Sequence, residues 1–203
     1  CGKINFDSKD NLEQRLIQQM CKTMIHRGPD EEGYYVKDNL GLGVRRLSII
    51  DRTLGHQPMS NENKTIWVVF NGEIYNYLEL SLALKDKGHQ FSSYCDTEVI
   101  VHLYEEYGDD CVDYLRGMFA FAVWDMKKSR LFIARDRLGI KPLYYTLTNK
   151  ALIFASEIKS ILQDATVKRE LNLMAFHHFL TFAFSPGPQT MFNKIQKLLP
   201  GHT

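Results

Sequence analysis

The sequence predicts an α+β fold in which two sheets pack face to face and helices cover their outer sides. Two observations carry this. Ile66–Phe70 (IWVVF) and Met118–Trp124 (MFAFAVW) are strands with almost no polar face, so each needs cover on both sides. Helical periodicities recur before, between and after the strands, which supplies the outer layers. Hydrophobic residues form 44% and aromatics 12% of the 203 residues, ample for such a core in one large domain or two small ones.

Charge and composition exclude several function classes. Twenty-five basic residues face 24 acidic ones, and no basic run occurs, so neither nucleic acid nor an anionic membrane surface is an expected partner. No apolar stretch reaches the roughly 20 residues of a membrane span, and no signal peptide precedes Cys1. Cys1, Cys21, Cys95 and Cys111 have no C-x-x-C spacing, which argues against a metal site or a thioredoxin-like centre. Scattered cysteines fit a cytoplasmic protein, with the last three as buried small hydrophobes.

In chain order, Lys3–Phe6 reads as a strand. Ser8 or Asp10 can cap a helix with Leu12, Leu16, Ile17, Met20 and Met24 at helical spacing, broken at Gly28-Pro29. The loop His26-Arg27-Gly28-Pro29-Asp30 reads as a salt-bridged helix exit. Tyr34–Val36 and Leu40–Val44 form a hairpin turned at Asp38-Asn39. Arg46 after it offers a planar fork for a carboxylate, or a solvated charge. The polar stretch Gly55–Asn63 is the expected mobile segment. Strand 66–70 runs into Asn71-Gly72, which suits a hairpin turn and, equally, an oxyanion hole made of an Asn amide and a Gly N–H.

A helix with Leu78, Leu82 and Leu84 ends near Gly88, and His89–Ser93 reads as a short strand. Asp96 or Thr97 caps the next helix, closed by Gly108, or its carboxylate meets a substrate ammonium. A short helix follows over Asp109–Leu115. Strands at 118–124, 131–134, 143–145 and 151–155 surround a charged loop, Arg135–Pro142. Helices follow at Glu157–Leu162 and at Asn172–Phe182, the latter capped by Asn172, before the rigid Ser185-Pro186-Gly187-Pro188.

Cys1 carries a thiol and, as the first residue, an α-amine. The thiol is mostly protonated at neutral pH, while an amine of pKa about 7.7–8.0 is partly neutral and can take its proton. A nucleophile so placed brings its own general base. Alone, a first-position cysteine is equally where a chain happens to start.

Cys1-Gly2, HRGPD at 26–30, RLSIID at 46–51, NGEIYN at 71–76, DTE at 96–98, RDRLGIKPLYY at 135–145, ASEIK at 155–159 and LPGH at 199–202 occur in one order across the whole chain. Together they resemble the glutaminase domain of the class II (N-terminal nucleophile) glutamine amidotransferases, in particular the asparagine synthetase type. The proline and aspartate after HRG, and the GIKPLYY run, mark that branch.

The resemblance implies a four-layer αββα sandwich of the N-terminal nucleophile hydrolase type. It implies that Cys1 attacks the side-chain amide of glutamine and that Asn71 and Gly72 form the oxyanion hole. It further implies that Arg46 holds the substrate carboxylate, that Leu47, Ser48, Ile49 and Ile50 line the pocket, and that Glu73 and Asp96 receive the ammonium group. No cofactor or metal is implied for this domain, while ATP and Mg belong to a synthetase domain expected after it. Residues 1–185 would be the glutaminase domain and 186–203 the start of a linker. The implied partners are L-glutamine and that C-terminal synthetase domain, with a homodimer left open. The alternatives are an amidotransferase for a sugar, peptide or antibiotic precursor, and a silent docking or regulatory domain.

Two departures stand out. The family reads Cys-Gly-Ile-x-Gly before the first strand, whereas here Gly2 runs straight into Lys3-Ile4-Asn5-Phe6, about three residues short. At ~3.3 Å per residue a true shortening would shift the nucleophile by about 10 Å. Cys95 also precedes Asp96 where serine or threonine is usual, a change expected to be tolerated.

Overall fold

The fold is a four-layer αββα sandwich, seen in a computed structural model that describes residues 1–47 and 54–203. The larger sheet contains β1 (Gly2–Asn5), β2 (Glu31–Lys37), β3 (Leu40–Arg46), β8 (Tyr144–Leu147), β9 (Ala151–Ala155) and β10 (Ile195–Lys197), in the order β10-β8-β9-β1-β3-β2. The smaller contains β4 (Met59–Ser60), β5 (Ile66–Ile74), β6 (Gly117–Asp125) and β7 (Arg130–Arg135), in chain order. All named pairings are antiparallel. Helices α1 (Gln14–Lys22) and α5 (Ile158–Ile161) cover the larger sheet. Helices α2 (Tyr77–Asp86), α3 (Asp96–Tyr107) and α4 (Cys111–Tyr114) lie on the other side, with α3 against β5. Helix α6 (Leu173–Phe182) precedes β10.

The period of two along each strand distributes its residues between layers. On β6, Phe119, Phe121 and Val123 join the core under α3, while Ala120, Ala122 and Trp124 join Leu40, Leu42, Val44 and Phe154 in the core between the sheets. On β3 the alternation is Leu-Gly-Leu-Gly-Val: the large residues face the other sheet, and Gly41 and Gly43 face α1. A Cβ at Gly43 would lie 2.5 Å from Ile17 Cγ2 and 2.6 Å from Cys21 Sγ, so the bare face lets the helix settle on the strand.

Several expectations are corrected. α1 begins at Gln14 without a side-chain cap from Ser8 or Asp10, because Leu12 N–H is committed to Asp38 C=O at 2.7 Å. His89–Ser93 forms no strand: the N–H groups of Ser92 and Ser93 go to the Glu98 carboxylate at 2.7 and 2.8 Å. Asn71-Gly72 makes no turn; β5 continues through it to Ile74, with Gly72 opposite Phe119. Gly55–Asn63 carries β4 and the buried Gln57. From 186 onward the chain adds β10 to the larger sheet, and Leu198 N–H bonds Leu143 C=O at 2.9 Å.

The charged loop after β7 is a knot of buried hydrogen bonds. Asp136 accepts from the N–H groups of Phe119, Leu138, Ile140 and Lys141 at 2.9–3.2 Å. Arg135 donates to the carbonyls of Gly139, Lys141 and Leu198 at 2.6–2.7 Å. Burial alone would raise the Asp136 pKa, but the four N–H groups hold it below the ordinary carboxylate value.

Candidate active site

A cavity of about 470 Å³ opens between the layers, lined by Cys1, Gly43, Arg46, Leu47, Asn71, Gly72, Glu73, Asp96 and Ser156 among others. Its size suits a small ligand, for which sites of about 300–1,000 Å³ are usual. The chain from Cys1 into β1 is held by β3 and β9 on either side, so the short start leaves Cys1 at the cavity wall. Of the sequence-expected site residues, Ser48, Ile49 and Ile50 lie outside the described residues; the rest all line this cavity.

The α-amine of Cys1 donates to Gly43 C=O at 2.9 Å, and the thiol lies 3.5 Å from the same oxygen. Burial lowers the amine's pKa below its ordinary value, while the nearby Cys21 pulls the other way. The neutral amine, the form that can accept a proton, is therefore favoured beside the thiol.

β5 supplies the opposite wall. In an antiparallel ladder the N–H groups of alternate residues point to the same edge. Phe70 N–H meets Gln57 Oε1 at 2.8 Å, and Ile74 N–H meets Asp96 Oδ2 at 2.9 Å, both away from β6. Gly72 N–H lies between them on that same edge, because its partner Phe119 directs its own N–H and C=O to Asp136. The N–H thus faces the cavity that Gly72 lines. Glycine is required here: a Cβ would lie 2.2 Å from Met118 C=O. Asn71 Nδ2 is 3.4 Å from Ser156 Oγ, which directs the amide.

The cavity wall carries charged groups of both signs. Arg46, 8% exposed, pairs with Glu31 at 3.1 Å. Asp96 sits in the first turn of α3, and burial raises its pKa; the Ile74 N–H opposes that rise and the Glu73 charge adds to it. The two neighbouring carboxylates together make a place for a cation. His26 and Arg27 also line the cavity and pair with Glu157 at 2.8 and 3.2 Å, as a salt-bridged helix exit should.

Sequence reasoning gave no role to Gln57, Ser156 or Cys21. Gln57 sat in a polar stretch with no periodic signal. The signal for Ser156 was its place in the ASEIK run. Away from the cavity, His89, His102 and Glu105 bring potential ligand atoms within 4.8 Å of one another, in a cluster already ion-paired through His102–Glu105 at 2.9 Å and His89–Glu106 at 2.9 Å.

Comparison with known proteins places the chain in a family. Asparagine synthetase [glutamine-hydrolyzing] 1 of Bacillus subtilis is 44% identical over 206 residues, spanning 99% of this chain and 32% of that protein. Asparagine synthetase [glutamine-hydrolyzing] of Zea mays is 44% identical over 149 residues, spanning 73% of this chain and 25% of that protein. The chain thus spans about a third or less of these relatives. The solved structure of glutamine phosphoribosylpyrophosphate amidotransferase from B. subtilis, complexed with ADP and GMP, superposes with a TM-score of 0.67 at 20% identity, over 85% of this chain and 45% of that one, and shares the fold. The glutamine amidotransferase domain family matches residues 1–203 from end to end. With the relatives and the sandwich in agreement, this chain belongs to the glutamine amidotransferase domain family.

Proposed function

We propose that this domain hydrolyses L-glutamine to L-glutamate and ammonia through a thioester on Cys1. The observation that carries the reading is the placement, around one cavity, of an N-terminal thiol with its buried amine, an outward Gly72 N–H, and charged groups of both signs. The α-amine takes the thiol proton as sulfur attacks the amide carbon. The resulting oxyanion is held by Gly72 N–H and Asn71 Nδ2. The proton passes to the departing nitrogen, ammonia leaves, and water then cleaves the thioester. Arg46 receives the substrate carboxylate beside Glu31, and Asp96 with Glu73 receives the ammonium. Leu47 lines the cavity, and we propose that Ser48, Ile49 and Ile50 contribute to glutamine binding. A pocket that pairs both charged groups on the Cα of an amino acid rejects analogues lacking either.

The ammonia serves an ATP-dependent synthetase carried elsewhere in the protein, which makes L-asparagine from L-aspartate as the names of its relatives suggest. ATP and Mg belong to that reaction, and no step in this domain uses a cofactor. Leu173, Met174, Leu180 and Phe182 on α6 are more than half exposed, and we place the contact with the synthetase there, since a large apolar patch on a surface marks an interface. Residues 1–185 carry the glutaminase chemistry, and 186–203, held to the larger sheet through β10, lead toward that partner. The setting is cytoplasmic; among the described residues no helix is long and apolar enough to cross a membrane.

The test is glutamate release from glutamine by protein with a verified N-terminal Cys1, with intact mass after 6-diazo-5-oxo-L-norleucine. Turnover and a single adduct on Cys1 are expected. Neither, with the terminus confirmed, would make this a docking or regulatory domain. Turnover of glutamine with an acceptor other than aspartate would move the whole protein to another amidotransferase class.

A further inference from the structure

A second thiol lies against the nucleophile. Cys1 Sγ and Cys21 Sγ are 3.5 Å apart, although 20 residues separate them in the chain. Cys21 is fully buried in α1, while Cys1 is half-buried and lines the cavity. The approach depends on Gly43: a Cβ there would fall 2.6 Å from Cys21 Sγ and 3.4 Å from Cys1 Sγ. Gly43 C=O also receives the Cys1 amine, which keeps the first residue turned toward the helix. Cys95 and Cys111 are buried elsewhere, in the core under α3.

We propose that Cys1 and Cys21 form a reversible disulfide when the cavity is exposed to hydrogen peroxide, a modification site built on the nucleophile. The reasoning rests on the accessibility of one thiol and the burial of the other, and needs the glutaminase reading only for its effect on activity. Peroxide enters the cavity and meets Cys1. The Cys1 thiolate attacks a peroxide oxygen, the O–O bond breaks, and hydroxide leaves, giving a sulfenic acid on Cys1. Cys21 then attacks that sulfur, the S–O bond breaks, and water departs with the Cys21 proton as the S–S bond forms. Two electrons pass from the two thiols to one peroxide, yielding two waters in all. Bonding at about 2.05 Å asks the sulfurs to close by about 1.5 Å from their 3.5 Å separation. A dithiol reductant restores both thiols by exchange. Cys21 thereby shields the nucleophile from irreversible sulfinic acid, at which an exposed lone cysteine would arrive.

The test pairs non-reducing peptide mapping with intact mass on protein treated with hydrogen peroxide, in the wild type and in Cys21→Ala and Cys21→Ser. The wild type should lose 2 Da (two hydrogens), yield a Cys1–Cys21 linked peptide, and regain its starting glutaminase rate with dithiothreitol. Both variants should instead gain 32 Da (two oxygens) on Cys1 and stay inactive after reduction. Two variants guard against one that folds poorly. Oxygen adducts on Cys1 in the wild type, with Cys21 still free to alkylation, would overturn the proposal. The linked peptide in a protein that never hydrolysed glutamine would uphold the disulfide and remove the glutaminase reading.

Discussion

The backbone N–H of Ile74 donates to the carboxylate of Asp96 at 2.9 Å, tying the end of β5 to the first turn of α3. One side chain therefore fixes the helix against the strand that carries Asn71 and Gly72, and also lines the cavity. Structure and proposed binding share a residue, and they can be separated.

Asp96→Asn keeps an oxygen for Ile74 N–H and removes the charge. The unfolding midpoint in urea should move little. The KM for glutamine should rise about 10- to 100-fold, the worth of one charge-assisted hydrogen bond of about 1.5–3 kcal/mol. An unchanged KM in a folded variant would take Asp96 out of the substrate site.

The pH profile of kcat/KM reports the amine. Burial lowers its pKa, and it accepts a proton only when neutral, above that pKa. The rate should therefore rise with pH through a midpoint below about 8, the ordinary value for an α-amine. A midpoint at or above 8 would mean that the amine is solvated in the working enzyme.

Asp136→Ala strips the acceptor from four N–H groups in a residue that is 1% exposed. Loss of about 3 kcal/mol or more in urea unfolding is expected, because buried donors are left unpaired. The sign with pH follows from the folded pKa lying below the unfolded one. The contribution is complete above about 3.9, the ordinary aspartate value, and fades as pH falls below it. A variant that unfolds at the wild-type midpoint would show that water replaces the carboxylate.

Gln57→Leu tests the missed glutamine. Gln57 Oε1 takes Phe70 N–H, and its Nε2 donates to Thr97 Oγ1 at 3.2 Å. Leucine leaves both partners unsatisfied, for a loss of about 1–3 kcal/mol. Calorimetry showing an equal or higher Tm would mean that packing alone holds the loop to β5.

The layers were legible in the sequence because strands such as 118–124 have no polar face, which dictates cover on both sides. The residues that line the cavity were legible because short motifs, spread in one order along the chain, mark them. Less visible was what is settled by partners far along the chain. Nothing near His89 announces that Glu98 will take the N–H groups of Ser92 and Ser93, so an extended stretch passed for a strand. Asn71-Gly72 has the composition of a turn; only the long pairing with β6, from Ile66 to Ile74, keeps it straight. The Cys1–Cys21 approach depends on a glycine on a third element, beyond the reach of any local pattern.

That straightness has a consequence for which substrate is chosen. Gly72, at the proposed reacting end, and Ile74, which anchors Asp96, are two residues apart on one extended strand, or about 6.7 Å at ~3.3–3.4 Å per residue. In the proposed binding mode β5 is a ruler between the two groups. The rise along a strand varies little, so in that mode the distance between the reacting amide and the charged end of the ligand is set by the backbone itself. An amino acid one methylene shorter than glutamine reaches one mark and falls short of the other, and a single methylene is worth about 1–3 kcal/mol of discrimination.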